Sequence, residues 1–251
     1  MPVPVCIYHD TAALAADLAR RIHTAALEAI DQRGRFHLAL PGGSALQRLA
    51  EGFAARPGPD GRAWQIFWSD ERAVPRDHAD SNHALAQQLL FAHGHLPQAA
   101  RYPVFDREPR PDPATAAHAY EQLLRQHLPA NRPGWPVFDL ILLGVGTDGH
   151  VASLFPGHPA LETTDQAVVA LRDAPKPPPQ RVTFTLPLLN AARDILIVAT
   201  GREKAGIVTR LTTASDVERT EPAARIRPSG NGPQWLVDQA AAPPTPEENT
   251  E

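Results

Sequence analysis

The chain has 251 residues, 43% of them hydrophobic and 21% charged, with a formal net charge of −4. That length can bury the core of one large α/β domain or two small ones. The acidic balance speaks against a nucleic-acid binder but leaves room for a locally positive pocket that takes a small anion. Cys6 is the only cysteine, which rules out a disulfide framework and a cysteine-based zinc site.

The first residues carry no basic segment followed by a long apolar stretch, so no secretory signal is expected. No apolar run reaches membrane-spanning length, and a cytoplasmic protein with no membrane partner follows. "VPVCIYH" reads as a short strand. Over residues 11–33, Leu14, Leu18, Ile22, Ala26 and Ile30 recur every fourth position, one face of a helix that Gly34 can end. "RFHLAL" is a buried strand, "PGGS" a loop, and residues 44–54 a helix. Residues 64–70, "WQIFWSD", form another strand. A helix over 80–92 is capped by Asp80 or Ser81. A further helix over 113–128 has Asp112 as its cap and Pro113 in its first turn. "FDLILLG" is the most apolar strand, expected at the centre and buried on both faces. "AVVAL", "RVTFTL" and "DILIVAT" are strands, and residues 201–212 a helix.

Strands alternating with helices predict a three-layer α/β/α fold with a mainly parallel, Rossmann-like sheet. One domain is expected over residues 1–241, with a flexible tail over 242–251. The proline-rich stretches "ARPGPDG", "REPRPDP" and "APKPPPQ" read as surface connections, the last with a lid beside a site as its alternative.

The segment "FDLILLGVGTDGHVASLFPG" (138–157) contains a formal G-x-G-x-x-G after an apolar strand. A dinucleotide site would need a full helix after the third glycine, and Pro156 leaves room for only one or two turns. The glycines then belong to a tight turn. That turn does not account for Asp148 and His150, at the carboxyl end of a central strand, where open α/β sheets bind ligands. A histidine oriented by an acid can serve as a base near neutral pH.

Three more loops fall at strand ends. Gly42, Gly43 and Ser44 join a strand to a helix, where free N–H groups and the helix dipole favour a single phosphate. "SDERAVPRDHADSN" places Asp70 and Arg72 at the end of the 64–70 strand. Lys204 opens the 201–212 helix. It is one of only two lysines among 24 basic residues, and a compact ammonium there can pair with a phosphate.

The strings "LALPGGS", "SDERAVPRDHADSN", "FDLILLGVGTDGHVASLFPG" and "RVTFTLPLLNAARDILIVATGREKA", in this order, resemble the 6-phosphogluconolactonases. The likeness covers about residues 5–240. It implies a sugar-phosphate isomerase-like fold, shared with the glucosamine-6-phosphate deaminases. Those enzymes follow Asp-Gly-His with a segment that contains a glutamate, where this chain has "VASLFPG". They also tend to carry Asp-Glu-Tyr where this chain has Asp70-Glu71-Arg72. Ala45 and Leu46 depart from the usual Ser-Thr-Pro after the glycines, which removes one hydroxyl from the phosphate.

The resemblance implies hydrolysis of 6-phospho-D-glucono-1,5-lactone in the oxidative pentose phosphate pathway. His150 would be the general base and Asp148 would orient it. Gly42, Gly43, Ser44 and Lys204 would hold the phosphate, with Arg181 a further candidate. Arg72 or loop N–H groups would stabilise the oxyanion. No G-x-S-x-G elbow is present, so no acyl-enzyme is expected. No cofactor is expected, and the His93-Gly-His95 pair, without nearby carboxylates, does not read as a metal site. The expected partner is the sugar-phosphate lactone, and the expected state a monomer or weak homodimer. The competing readings are a deaminase and a non-catalytic sugar-phosphate sensor. A sensor would carry a helix-turn-helix and a basic surface, and this sequence has neither.

Overall fold

The computed structural model describes residues 5–56, 61–96, 98–106, 110–131, 134–213, 221–230 and 232–243. In chain order the first elements are β1 (Val5–Tyr8), α1 (Thr11–Arg33), β2 (Phe36–Leu40), α2 (Gly43–Ala55), β3 (Trp64–Trp68) and β4 (Asp70–Arg72). They are followed by α3 (Asn82–Ala86), which widens into a π-turn at Gln87–Phe91, then β5 (Ala100–Tyr102), α4 (Pro113–His127) and β6 (Leu140–Gly144). β7 (Val168–Leu171), β8 (Arg181–Phe184), α5 (Leu186–Ala191), β9 (Asp194–Ala199), α6 (Ala205–Thr213) and β10 (Gln234–Asp238) complete the set.

Local chemistry accounts for several boundaries. Asp10 caps α1 by accepting from Ala13 N, and Gly34, at φ 77°, closes it by donating to Ile30 O. Ser81 caps α3 by accepting from Ala84 N, so Ser81 rather than Asp80 is the N-cap. Asp112 accepts from Ala114 N and Thr115 N at the start of α4, with Pro113 in the first turn as expected.

Seven strands form one parallel sheet in the order β1-β10-β9-β6-β2-β3-β5. β6 is its central strand. Every residue of β2 is buried, which requires cover on both faces of the sheet. α1 and α2 pack on each other and on strands including β2, β6 and β9. From β2 the chain moves outward through β3 and β5, then returns to the other side of β2 as β6. The strand order therefore reverses between β2 and β6, and their carboxyl ends flank the crevice where such sheets bind ligands.

The mainly parallel expectation holds, with one antiparallel addition. β4, β8 and β7 form a separate, antiparallel three-stranded sheet. The nine residues between β7 and β8 are too few for a parallel crossover, which needs a dozen or more. The strand expected over 64–70 accordingly divides at Ser69. Its N–H bonds to Leu40 O of the large sheet at 2.9 Å, and its carbonyl accepts from Phe184 N of the small sheet at 2.9 Å. Ser69 is thus the pivot that turns Asp70 out of the parallel sheet. Tyr120 of α4 fixes the same corner, its hydroxyl accepting from Trp68 N at 2.8 Å.

β5, α5 and β10 have no counterpart in the sequence reading. The helix expected over 80–92 is regular only to Ala86 before the π-turn. The tail expected over 242–251 lies outside the described residues except for Ala242 and Pro243, and Ala242 packs against the core. No described helix is long and apolar enough to cross a membrane.

Candidate active site

The turn after β2 brings backbone donors to the crevice. α2 begins at Gly43, and its N-cap, Gly42, offers no side chain to the first-turn N–H groups. Those donors and the helix dipole therefore face outward, ready for an anion. Gly43 has φ +65°, which a residue with a Cβ rarely adopts. A Cβ on Gly42 would fall 2.0 Å from Asn82 Oδ1. Asn82 Nδ2 in turn donates to the Asp70 carbonyl at 2.9 Å and to Asp70 Oδ1 at 3.2 Å. One amide side chain thus lies against the glycine turn and hydrogen-bonds the strand that carries Asp70.

The loop after β6 is a tight turn closed by Gly149 N→Gly146 O and Gly146 N→His150 O, both 2.9 Å. No α-helix follows it. A reverse turn bridged at Val151 and Leu154 comes next, so the dinucleotide pattern is a coincidence of glycines with other duties. Gly149 takes φ +83°. A Cβ on Gly146 would lie 2.0 Å from His150 Nδ1 and 2.4 Å from Asp148 Oδ1. Gly144 has no such demand, since its Cβ would meet Ala45 Cβ at an ordinary 3.6 Å.

In the space Gly146 leaves, His150 Nδ1 lies 2.5 Å from Asp148 Oδ1, and the imidazole packs on Phe155 at 4.7 Å between ring centroids. Burial lowers the pKa of His150, against the pull of Asp148 towards the imidazolium. Burial alone would raise the pKa of Asp148. Hydrogen bonds from Lys176 and His150 outweigh it and hold the carboxyl at about 2. At neutral pH the pair is a carboxylate beside a neutral imidazole whose Nε2 is not engaged by Asp148.

A cleft of about 250 Å³ gathers these groups. Gly42, Gly43, Ser44, Asp70, Arg72, His150, Arg181 and Lys204 line it, while Asp148 stands behind the imidazole. Asp70 is buried and accepts from Ser153 Oγ at 2.7 Å. Arg72 reaches across its loop to the Asp80 carbonyl at 2.9 Å. Burial lowers the pKa of Lys204, and Lys176 nearby lowers it further. Larger grooves, of about 610 Å³ between α4 and β7 and about 730 Å³ beside His83, lack this meeting of a base with cations at the sheet's switch point.

Two findings add to the sequence reading. Arg181, a further candidate for the phosphate, lines the cleft but is buried and already makes several hydrogen bonds. Its guanidinium donates to the carbonyls of Pro178 at 2.9 Å and of Lys176 and Pro177 at 3.0 Å, and to Ser153 Oγ at 3.2 Å. It works as a clamp on the loop between β7 and β8. That loop, "APKPPPQ", is part of the cleft wall rather than a plain surface connection. It delivers Lys176, which sequence reasoning missed, to within 3.0 Å of Asp148 Oδ2. The signal available was composition: the only two lysines of the chain line one cleft. Among the described residues, no three His, Cys, Asp or Glu side chains gather as a metal site would require.

The family described as glucosamine-6-phosphate isomerases/6-phosphogluconolactonase matches residues 9–235. The 6-phosphogluconolactonases of Rattus norvegicus and Homo sapiens are each 40% identical over 248 residues, covering 96% of this chain and 94% of their own. Among solved structures, the devB protein is 30% identical with a TM-score of 0.84, covering 95% of this chain and 98% of that one. The 6-phosphogluconolactonase of Trypanosoma brucei is 29% identical with a TM-score of 0.78, covering 95% of this chain and 97% of its own. A monomeric glucosamine-6-phosphate deaminase shares the fold, with a TM-score of 0.72 at 20% identity over 95% of this chain and 98% of its own. With the glycine turn, the Asp148–His150 pair and the lysine-lined cleft in place, the chain belongs to the glucosamine-6-phosphate isomerase/6-phosphogluconolactonase family.

Proposed function

We propose that the chain is an ester hydrolase that opens 6-phospho-D-glucono-1,5-lactone to 6-phospho-D-gluconate in the oxidative pentose phosphate pathway. The observation that carries this reading is the oriented imidazole of His150, set in a cation-lined cleft beside the N-terminus of α2. The lactone is an activated ester, so its hydrolysis needs a positioned water, a base and an anion anchor rather than a covalent intermediate.

His150 Nε2 takes a proton from water as the water oxygen bonds to the lactone carbonyl carbon. Charge builds on the carbonyl oxygen, and Arg72 or the loop N–H groups receive it. Collapse of the tetrahedral intermediate breaks the bond to the ring oxygen, which leaves with the proton from the imidazolium. The new carboxylic acid then ionises to solvent, leaving the enzyme as it began. Asp148, ionised throughout, keeps the imidazole in the Nδ1–H tautomer. The N–H groups of Gly43 and Ser44, with Lys204, anchor the 6-phosphate and fix the lactone against the base.

The same fold serves deaminases, but no carboxylate stands in the "VASLFPG" segment after His150. Purified protein assayed for lactone opening, beside ammonia release from glucosamine 6-phosphate, tests the reading. Lactone hydrolysis that survives a chelator, with no ammonia, is the expected result. Ammonia release, or no acceleration over the spontaneous rate, overturns it.

A further inference from the structure

The strap between β7 and β8 is held at both ends. Asp173 meets His158 Nε2 at 3.1 Å, and Ala174 N donates to Pro179 O at 3.0 Å. Arg181 takes the carbonyls of three consecutive strap residues, 176 to 178, onto one planar guanidinium. The strap thereby presents Lys176 Nζ at 3.0 Å from Asp148 Oδ2 and 3.3 Å from His150 Nδ1.

Donor and acceptor roles in this triad are forced. An ammonium can only donate, and an ionised carboxylate can only accept. Nδ1, 2.5 Å from Asp148 Oδ1, must then carry the ring proton, so it is no acceptor for Lys176. The hydrogen bond of Lys176 goes to Oδ2, and its 3.3 Å approach to the ring is electrostatic. We propose that Lys176 is a positioning residue for the base: its ammonium holds Asp148 Oδ2, which reserves Oδ1 for Nδ1–H and leaves the Nε2 lone pair of a neutral His150 facing the cleft. This rests on the reading of His150 as the general base.

The charge balance around the imidazole gives the proposal its signature. Asp148 on the same loop and Asp70 from β4 favour the imidazolium; Lys176 from the strap opposes it. Arg72, Arg181 and Lys204 line the same cleft and add to the cationic side. Without Lys176 one of the charges that oppose Asp148 is gone, and the imidazole takes up its proton at a higher pH.

The test compares wild type with Lys176→Met and Lys176→Arg, first by kcat/KM for the lactone between pH 5.5 and 7.5, with the uncatalysed rate subtracted. The acid limb is expected to move to higher pH in Lys176→Met, with a loss of about tenfold at pH 5.5 that shrinks as the pH rises. Lys176→Arg, which keeps the charge, is expected to keep the wild-type limb. The second readout is the 15N spectrum of His150, which needs no substrate. Nδ1 should be protonated at neutral pH in wild type, and titration should occur at a higher pH in Lys176→Met. Thermal melts and a second neutral variant, Lys176→Gln, separate this effect from misfolding. A purely substrate-binding lysine would raise KM without moving the limb. An acid limb and an imidazole titration that stay in place in Lys176→Met, or move equally in Lys176→Arg, overturn the proposal. If wild type fails to hydrolyse the lactone, the functional reading falls, and the 15N titration still decides the role of Lys176.

Discussion

Gly146→Ala probes how the turn makes room for His150, the proposed base. The added Cβ would fall 2.0 Å from His150 Nδ1 and 2.4 Å from Asp148 Oδ1, where ordinary contact begins near 3.4 Å. The imidazole must therefore retreat by about 1.4 Å, or the loop must open against the Gly146 N→His150 O hydrogen bond. A misplacement of about 1 Å at a reacting group costs roughly 10²-fold, equal to about 2.7 kcal/mol in barrier height. The expected outcome is a kcat for the lactone lowered about 100-fold, while KM stays within about threefold because the proposed phosphate anchor lies on α2 and Lys204. Overpacking should also lower stability by about 1–3 kcal/mol, visible as a Tm several degrees below wild type. Gly144→Ala, with its 3.6 Å contact, is the comparison and should lose no more than about threefold. Steady-state product formation and a thermal melt on both variants suffice. A Gly146→Ala enzyme with kcat within about twofold of wild type would refute the claim that this glycine exists to seat the His–Asp pair.

Lys204→Met removes a cation from the proposed phosphate anchor and should raise KM for the lactone about 10- to 100-fold, the value of a hydrogen bond to a charged group. An unchanged KM would move the phosphate elsewhere. Ser153→Ala takes from buried Asp70 its 2.7 Å donor and from Arg181 an acceptor, so chemical denaturation should show a loss of about 1–3 kcal/mol. His83 is buried, and burial, with the nearby charges of Arg76 and Arg101, lowers its pKa from 6.5 to about 4. Between those values the unfolded chain binds more protons than the folded one, so this imidazole makes the protein less stable as pH falls from 6.5 towards 4. His83→Gln should remove that contribution, on the order of 3 kcal/mol at pH 4. The difference between the two stability curves isolates it from buried Glu71, whose pKa is pushed up to about 7 and which acts in the opposite sense between pH 4.5 and 7. Identical slopes in wild type and His83→Gln would show that the imidazole is charged in the folded state.

The amino-acid sequence by itself determines what short-range chemistry controls. The four-residue repeat of α1 and its stop at Gly34 are legible, as are the Asp112–Pro113 start of α4 and the apolar run of β6. Their causes lie within a turn or two of the chain. The glycine turn at the start of α2 and the Asp148–His150 pair are legible for the same reason, since a single residue separates His150 from Asp148. The antiparallel small sheet was legible in principle from the short connection between β7 and β8, although strand pattern alone suggests continued parallel pairing. The rest is settled only by tertiary structure. Ser69 switches sheets because its N–H and carbonyl find partners about 30 residues before it and more than 100 after it. Asp70 is stabilised by Ser153, 83 residues away. Lys176 reaches Asp148 across 28 residues of chain because Arg181 folds a proline-rich strap back towards the β6 loop. Periodicity and propensity carry no record of such distances. The shape of the folded chain alone decides that the two lysines meet in one cleft.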